Sequence, residues 1–274
     1  MKAGIDFGSS LVKAAWIRDG QFRFASTANV KLEELTRQLS DEGIKQINLA
    51  GIGYSNAHSN YFREFELRKA KGDAIKLEKK LQVEGIQKLM RDQGENITNF
   101  ILVSIGTGTS YALRLYGFAI PVPLGNSLGG GFLGGIGRHL GINDYGEMSR
   151  IASEGTPLNV YVKDKLPDLN GTVIGEYVVA HLSKAENDSK REDVLATAVD
   201  IVSVTTIKDL ALLSHSSRLF KWTKDIVYIG STVSGFPSLR KSLEKYSSGM
   251  LSKRTHFPHN GEFSLAIGAY YMQE

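Results

Sequence analysis

The sequence has 274 residues, 42% hydrophobic and 23% charged, which excludes a disordered chain and allows a large core in one compact unit or two lobes. Its 33 basic and 29 acidic side chains are interspersed, and the net charge of +4 is too small and scattered for nucleic-acid binding. Cysteine is absent, which removes disulfides, thiolate nucleophiles and iron–sulfur ligation by this chain.

In chain order, a short strand leads into a turn at Asp6 to Ser10, followed by strands over Leu11 to Ile17 and Gln21 to Ala25. Asp6 interrupts the apolar stretch a signal peptide needs, and no apolar run reaches the roughly 18 residues of a membrane span. A cytoplasmic protein with neither membrane nor nucleic acid as partner is therefore expected. Leu32, Leu35 and Leu39 recur at helical spacing, and Ile44 to Ile52 returns to strand before Gly51 and Gly53. The basic stretch Arg68, Lys69, Lys71, Lys76, Lys79 and Lys80 reads as a solvated face. Within it, Ala74 to Glu78 alternates like a short strand leading into a helix over Lys79 to Gln93, which places Glu78 near a strand-to-helix junction.

Phe100 to Ile105 is an apolar strand that ends at Gly106-Thr107-Gly108-Thr109-Ser110, and a further strand begins at Tyr111. After Pro121 and Pro123 comes a glycine-rich segment, Gly125 to Gly135, then helical material to about Ser153 and a polar stretch over 155–170. A long helical region is expected from Glu176 to about Ser214, broken at 186–192. Asp225 to Ile229 runs into Gly230-Ser231-Thr232, and a helix of small residues covers Ser264 to Tyr271. Two βββαβα halves with glycine turns at equivalent places are the pattern of an α/β chain with the duplicated actin-like ATPase fold, which is ribonuclease H-like in each half.

Three of these turns suit a nucleotide, because phosphates need backbone N–H groups in a tight turn and glycine lets the backbone approach. Asp6-Phe7-Gly8-Ser9-Ser10 adds a carboxylate able to hold magnesium through water, and Lys13 follows for a phosphate. The turn at 106–110 adds three hydroxyls, and Gly129-Gly130-Gly131 opens a helix whose N-terminus could face an anion. His256 and His259 lack a third ligand at zinc spacing.

The blocks MKAGIDFGSSLVK, VSIGTGTSY, GNSLGGGFLG, IVYIGS and NGEFSLAIGA resemble, in the same order, those of bacterial type II pantothenate kinases, from Met1 to Tyr271. The resemblance implies two lobes around a nucleotide cleft, 1–104 and 105–274, and ATP with Mg²⁺ as cofactors. It implies Glu78 as catalytic base for the acceptor hydroxyl, and Asp6, Gly8, Ser9, Ser10 and Lys13 facing phosphates and magnesium. It further implies Thr107 and Gly108 near the γ-phosphate, Gly130 and Gly131 at the nucleotide, Tyr145 at the purine and Ser231 on the adenosine side. A homodimer, with the long helices after Glu176 as its surface, and an acyl-coenzyme A effector belong to the same implication.

The expected activity is phosphorylation of the primary hydroxyl of pantothenate, the first step of coenzyme A biosynthesis. Two departures from the family stand out. Lys79 and Lys80 follow Glu78 where the family tends to show an aromatic residue and an aspartate. Ile120-Pro121-Val122-Pro123-Leu124 occupies the place of an arginine that faces pantothenate. Unless Arg114 or Lys76 reaches the carboxylate, preference for pantothenate over neutral pantetheine should be weak or reversed. A sugar kinase and a silent nucleotide- or acyl-coenzyme A-binding relative are the alternatives.

Overall fold

The computed structural model describes residues 1–28, 31–69 and 73–272, so Lys71 of the basic stretch lies outside the described residues. In chain order the first elements are β1 (Lys2–Phe7), β2 (Leu11–Arg18), β3 (Gln21–Ala28), α1 (Leu32–Asp41), β4 (Gln46–Ala50), β5 (Glu66–Lys69) and α2 (Ala74–Asp92). Next come β6 (Phe100–Ile105), β7 (Thr109–Leu115), β8 (Phe118–Pro121), α3 (Gly130–His139), α4 (Tyr145–Glu154), β9 (Val160–Tyr161), α5 (Val162–Lys165) and β10 (Val178–Ala180). The chain continues with α6 (Arg191–Ser216), α7 (Arg218–Trp222), β11 (Asp225–Ile229), α8 (Ser231–Gly235), α9 (Pro237–Leu251), β12 (Arg254–His256) and α10 (Ser264–Tyr271).

Two five-stranded sheets have the orders β3-β2-β1-β4-β5 and β8-β7-β6-β11-β12. In the first, β1, β2 and β3 form an antiparallel meander while β4 joins β1 and β5 joins β4 in parallel. In the second, β7 and β8 are antiparallel and β11 and β12 parallel. The same order in both sheets, with an antiparallel pair at one edge and a parallel pair at the other, is the internal duplication expected from the two βββαβα halves. The equivalence extends to two glycines. Gly51, just after β4, has φ +99° and lies where a Cβ would sit 2.6 Å from Phe7 O. Gly230, just after β11, has φ +109° and a Cβ there would sit 2.3 Å from Ile105 O. Both the backbone angle and the contact exclude a side chain.

The chain forms two compact units, residues 1–102, 111–123 and 258–274 in one, 103–110 and 124–257 in the other. The division drawn from the sequence between 104 and 105 falls within the 103–110 segment, and the stretches 111–123 and 258–274 belong to the first unit. In that unit Leu32, Leu35 and Leu39 of α1 join Ile5, Phe7 and Trp16 of the sheet in one buried cluster. Burying each such side chain contributes about 1.5–3 kcal/mol. Gly4 of β1 meets α10 backbone to backbone, since a Cβ there would lie 2.0 Å from Ala266 O. In the second unit α6 buries Leu195, Val199, Val202 and Leu210. It also buries Asp200, whose carboxylate accepts from Asn159, Ser242 and Tyr246.

Two sequence expectations are corrected. Residues 74–78 are not a strand but the first turns of α2, because the Asp73 carboxylate accepts from Lys76 N at 3.0 Å and caps the helix at that point. Five alternating residues cannot separate a strand from the start of a helix. The helical region placed from Glu176 begins at Arg191, after the β9–β10 pair, and Glu192 and Asp193 occupy its first turn, where the helix dipole favours acids.

Candidate functional site

In the first unit, the β1–β2 register places Asp6 directly opposite Lys13, and the Lys13 ammonium lies 3.3 Å from the Asp6 carboxylate. Gly8 N donates to Leu11 O and closes the turn between the strands. Burial raises the Asp6 pKa, while the charge and hydrogen bond of Lys13 work against the rise. Glu78 stands in the second turn of α2, and its pKa is raised by burial; Lys79 opposes the rise and Asp6 adds to it. Lys79 is itself buried, 4.0 Å from Glu78, with its ammonium donating to Gln82 Oε1 at 2.8 Å. Burial lowers its pKa against the pull of Glu78 and Asp6. Two carboxylates and two ammoniums thus form one electrostatic group. A lysine after Glu78 therefore balances charge beside the carboxylates, where sequence reading gave it to a solvated face.

Glu78 lines a cavity of about 300 Å³ with Leu49, Ala50, Gly51, Leu77 and Leu81 along its apolar wall. Tyr54, Ser55, Asn56, Lys69 and Ala74 complete the lining. Gly53 N donates to Phe7 O at 2.8 Å, which ties the turn after β4 to the end of the strand that carries Asp6. Ser55 then caps a 3-10 helix over Asn56–Phe62, with Ser55 N donating to His58 Nδ1 at 3.0 Å.

In the second unit, the turn at 106–108 and the start of α3 meet backbone to backbone. Gly130 N donates to Gly106 O and Gly131 N to Thr107 O. A Cβ on Gly129 would lie 2.8 Å from Gly106 O, so the triple glycine is required by this approach. The two amides expected to face an anion are therefore bonded to the neighbouring turn. Tyr145 is the first residue of α4, half-buried, and its hydroxyl donates to Thr232 Oγ1 at 3.2 Å. Thr232 Oγ1 in turn donates to Gly106 O at 2.8 Å. A Cβ on Gly130 would strike both hydroxyls, so Gly106, Gly130, Tyr145 and Thr232 converge on one spot. Ser231, half-buried, opens the short helix α8 beside it, while Thr107 is exposed at the tip of the turn and Gly108 is partly covered.

The residues that the resemblance assigns to the site divide between the two units. Asp6, Gly8, Ser9, Ser10, Lys13 and Glu78 belong to the first, and Thr107, Gly108, Gly130, Gly131, Tyr145 and Ser231 to the second. Three further residues stand beside these: Thr232 was named from the sequence only as part of its turn, Lys69 only as part of a solvated basic stretch, and Tyr54 was not singled out. His256 is paired with Asp225, 2.9 Å away, and no cluster of three metal-ligating side chains occurs among the described residues. No helix among those residues is long and apolar enough to cross a membrane.

No family model matches the sequence. The chain is 27% identical over 289 aligned positions to the type II pantothenate kinase of Staphylococcus aureus (strain USA300), covering all of both chains. Its fold is similar to component A of the (R)-2-hydroxyglutaryl-CoA dehydratase of Acidaminococcus fermentans, with TM-score 0.62, 16% identity and coverage of 98% of this chain and 95% of that one. It is also similar to the activator of the 2-hydroxyisocaproyl-CoA dehydratase of Clostridium difficile, solved with bound ADPNP, with TM-score 0.60, 15% identity and coverage of 98% and 92%. These likenesses, with the two sheets of matching order, establish the α/β actin-like ATPase fold.

Proposed function

We propose that this protein transfers the γ-phosphoryl group of ATP to the primary hydroxyl of pantothenate. The observation that carries the reading is Glu78, a half-buried carboxylate lining a cavity with an apolar wall, large enough for a small alcohol, and coupled electrostatically to the Asp6–Lys13 pair. The full-length similarity to a type II pantothenate kinase supports the choice of acceptor.

In the reaction, the acceptor oxygen bonds to the γ-phosphorus as the bond from that phosphorus to the β–γ bridging oxygen breaks. Glu78 takes the hydroxyl proton, and ADP leaves with the charge of the broken bond. Magnesium enters with the nucleotide as part of the substrate. Asp6 suits it, since this ion keeps most of its waters and is held by one or two carboxylates plus phosphates. When bound, the ion would supply spreading of the phosphate charge, while this chain's own groups orient the reactants. Lys13 compensates Asp6, and Thr107, Gly108, Gly130, Gly131, Tyr145 and Ser231 are assigned to the nucleotide. Ser9 and Ser10 belong to the phosphate turn. The dehydratase-activator likeness is one of fold; a cluster bridged by thiolates finds no cysteine in these 274 residues. A cytoplasmic homodimer with an acyl-coenzyme A effector completes the proposal, on sequence resemblance alone.

The test is phosphoryl transfer from ATP across a panel of alcohols containing pantothenate, pantetheine and simple sugars. Pantothenate or pantetheine should be phosphorylated, and Glu78→Gln should lower kcat by roughly 10² to 10⁴ with ATP binding retained. Turnover of sugars alone, or a loss under a few-fold in the variant, refutes the reading.

A further inference from the structure

The family resemblance leaves the carboxylate of a pantothenate-like acceptor without a partner at 120–124, and the cavity beside Glu78 supplies one from elsewhere. Among its described lining residues Glu78 is the one anion and Lys69 the one cation. Lys69 ends β5, where the parallel register sets it beside Leu49 of β4, another residue of the same lining. Its ammonium stands 4.3 Å from the centroid of the Tyr54 ring, a cation–π contact that holds a long side chain at one place. Tyr54 is itself fixed, edge-on to Phe7 at 5.5 Å and against Phe62. The cation is thus held at the cavity by a ring anchored in the core of the sheet.

The two basic residues named from the sequence are placed otherwise. Arg114 donates to Thr98 O and to Gln87 Oε1, and both Arg114 and Lys76 line a separate cavity of about 730 Å³. Neither lines the cavity that holds Glu78.

We propose that Lys69, held by Tyr54, is the specificity-determining residue that binds an anionic group on the acceptor, so that the acceptor is a hydroxy acid and its neutral amide relatives are disfavoured. This rests on the phosphoryl-transfer reading of the same cavity. The chemistry of the lining matches such a molecule. The carboxylate of Glu78 faces the hydroxyl end, and the apolar wall of Leu49, Leu77 and Leu81 suits a branched aliphatic middle. Ser55 and Asn56 can pair with an amide, and Lys69 with a carboxylate. A charge-assisted bond of this kind discriminates by roughly 10 to 150-fold, and the exposure of Lys69 places the effect at the lower end.

The experiment measures kcat and KM for pantothenate and pantetheine at saturating MgATP, for wild type, Lys69→Met and Lys69→Arg, together with other hydroxy acids paired with their amides. Wild type should favour the acid of each accepted pair. Lys69→Met should cut the acid-to-amide ratio of kcat/KM roughly 10-fold, through KM of the acid, and Lys69→Arg should keep most of the ratio. A wild-type preference for amides, or a Lys69→Met loss that falls equally on acid and amide, overturns the proposal. Turnover of a different hydroxy acid, with the same Lys69 dependence, upholds Lys69 and removes pantothenate. Turnover of none of the acids or amides overturns both.

Discussion

A carboxylate acts as a base only in its ionised form, and Glu78 sits where burial favours the protonated one. Lys79 and Lys13 pull its pKa back down, while Asp6 adds to the rise. The net shift is upward, so the base is lost by protonation at a higher pH than for an exposed glutamate. The acid limb of kcat/KM for the acceptor should therefore have its midpoint above the ordinary carboxylate range, with activity present above it and lost as pH falls through it. Because Lys79 is the largest charge opposing the rise, Lys79→Met should move that midpoint further up. A midpoint unmoved by Lys79→Met, or one at the value of a free glutamate, would contradict this assignment. At this scale the sequence was legible in part: Asp6 and Lys13 were read together at one phosphate turn, while their pairing across the hairpin appears only with the strand register. Glu78 came from the spacing of a resembling family. Tyr54 and Lys69 could not be read, because their pairing needs β4 and β5 side by side and β5 is only four residues within a basic stretch.

The helix that carries Glu78 owes its placement to glycine. A Cβ on Gly85 of α2 would lie 1.8 Å from Ser264 O, and one on Gly268 of α10 would lie 2.0 Å from Leu81 O. The two helices therefore cross in backbone contact, with Leu81 and Leu265 buried beside the crossing. Alanine at Gly85 would gain about 1 kcal/mol in helix propensity. Against that stands overpacking of typically 1–3 kcal/mol, here against a carbonyl that cannot rotate away. Overpacking wins, so Gly85→Ala should lower Tm by several degrees and reduce kcat by displacing Glu78. At Gly135 of α3 an added methyl would meet nothing within 4 Å, so Gly135→Ala should raise Tm slightly. Thermal melts of the two variants with the same sign of shift would show that the crossing does not set the outcome. The small residues of α10 were visible in the sequence, but a single glycine inside a helical stretch carries no mark of its partner, so Gly85 drew no reading. Strand β8 and the β9–β10 pair were missed because two to four residues carry too little periodicity.

Across the whole molecule, the repeated sheet order was legible because each half announces itself with a strand, a glycine turn and a meander. The composition of the units was not, since it depends on where the chain returns. The first unit is completed only by residues 258–274, contributed from the far end of the sequence. Six of the eight residues of α10, from Ser264 to Ala269, are buried. Asn48 of β4, itself buried, donates to Ala269 O and Tyr270 O and satisfies carbonyls at the helix C-terminus. Gln93 exchanges two hydrogen bonds with the backbone of His259, tying the same segment to the end of α2. Burial of Leu265 and Ile267 alone is worth about 3–6 kcal/mol, comparable with the roughly 5–15 kcal/mol net stability of a folded protein. A chain ending at Phe257 should therefore lose cooperative unfolding of the first unit, with Asn48 unsatisfied and the Gly4 face of β1 exposed to water. Native-state hydrogen exchange on β1 and β2 would read this directly: protection should collapse in the shortened chain and return when a peptide of residues 258–274 is added. Retained protection, with Tm within about two degrees of the full chain, a shift of about 1 kcal/mol or less, would mean that the sheet and α2 hold together without α10.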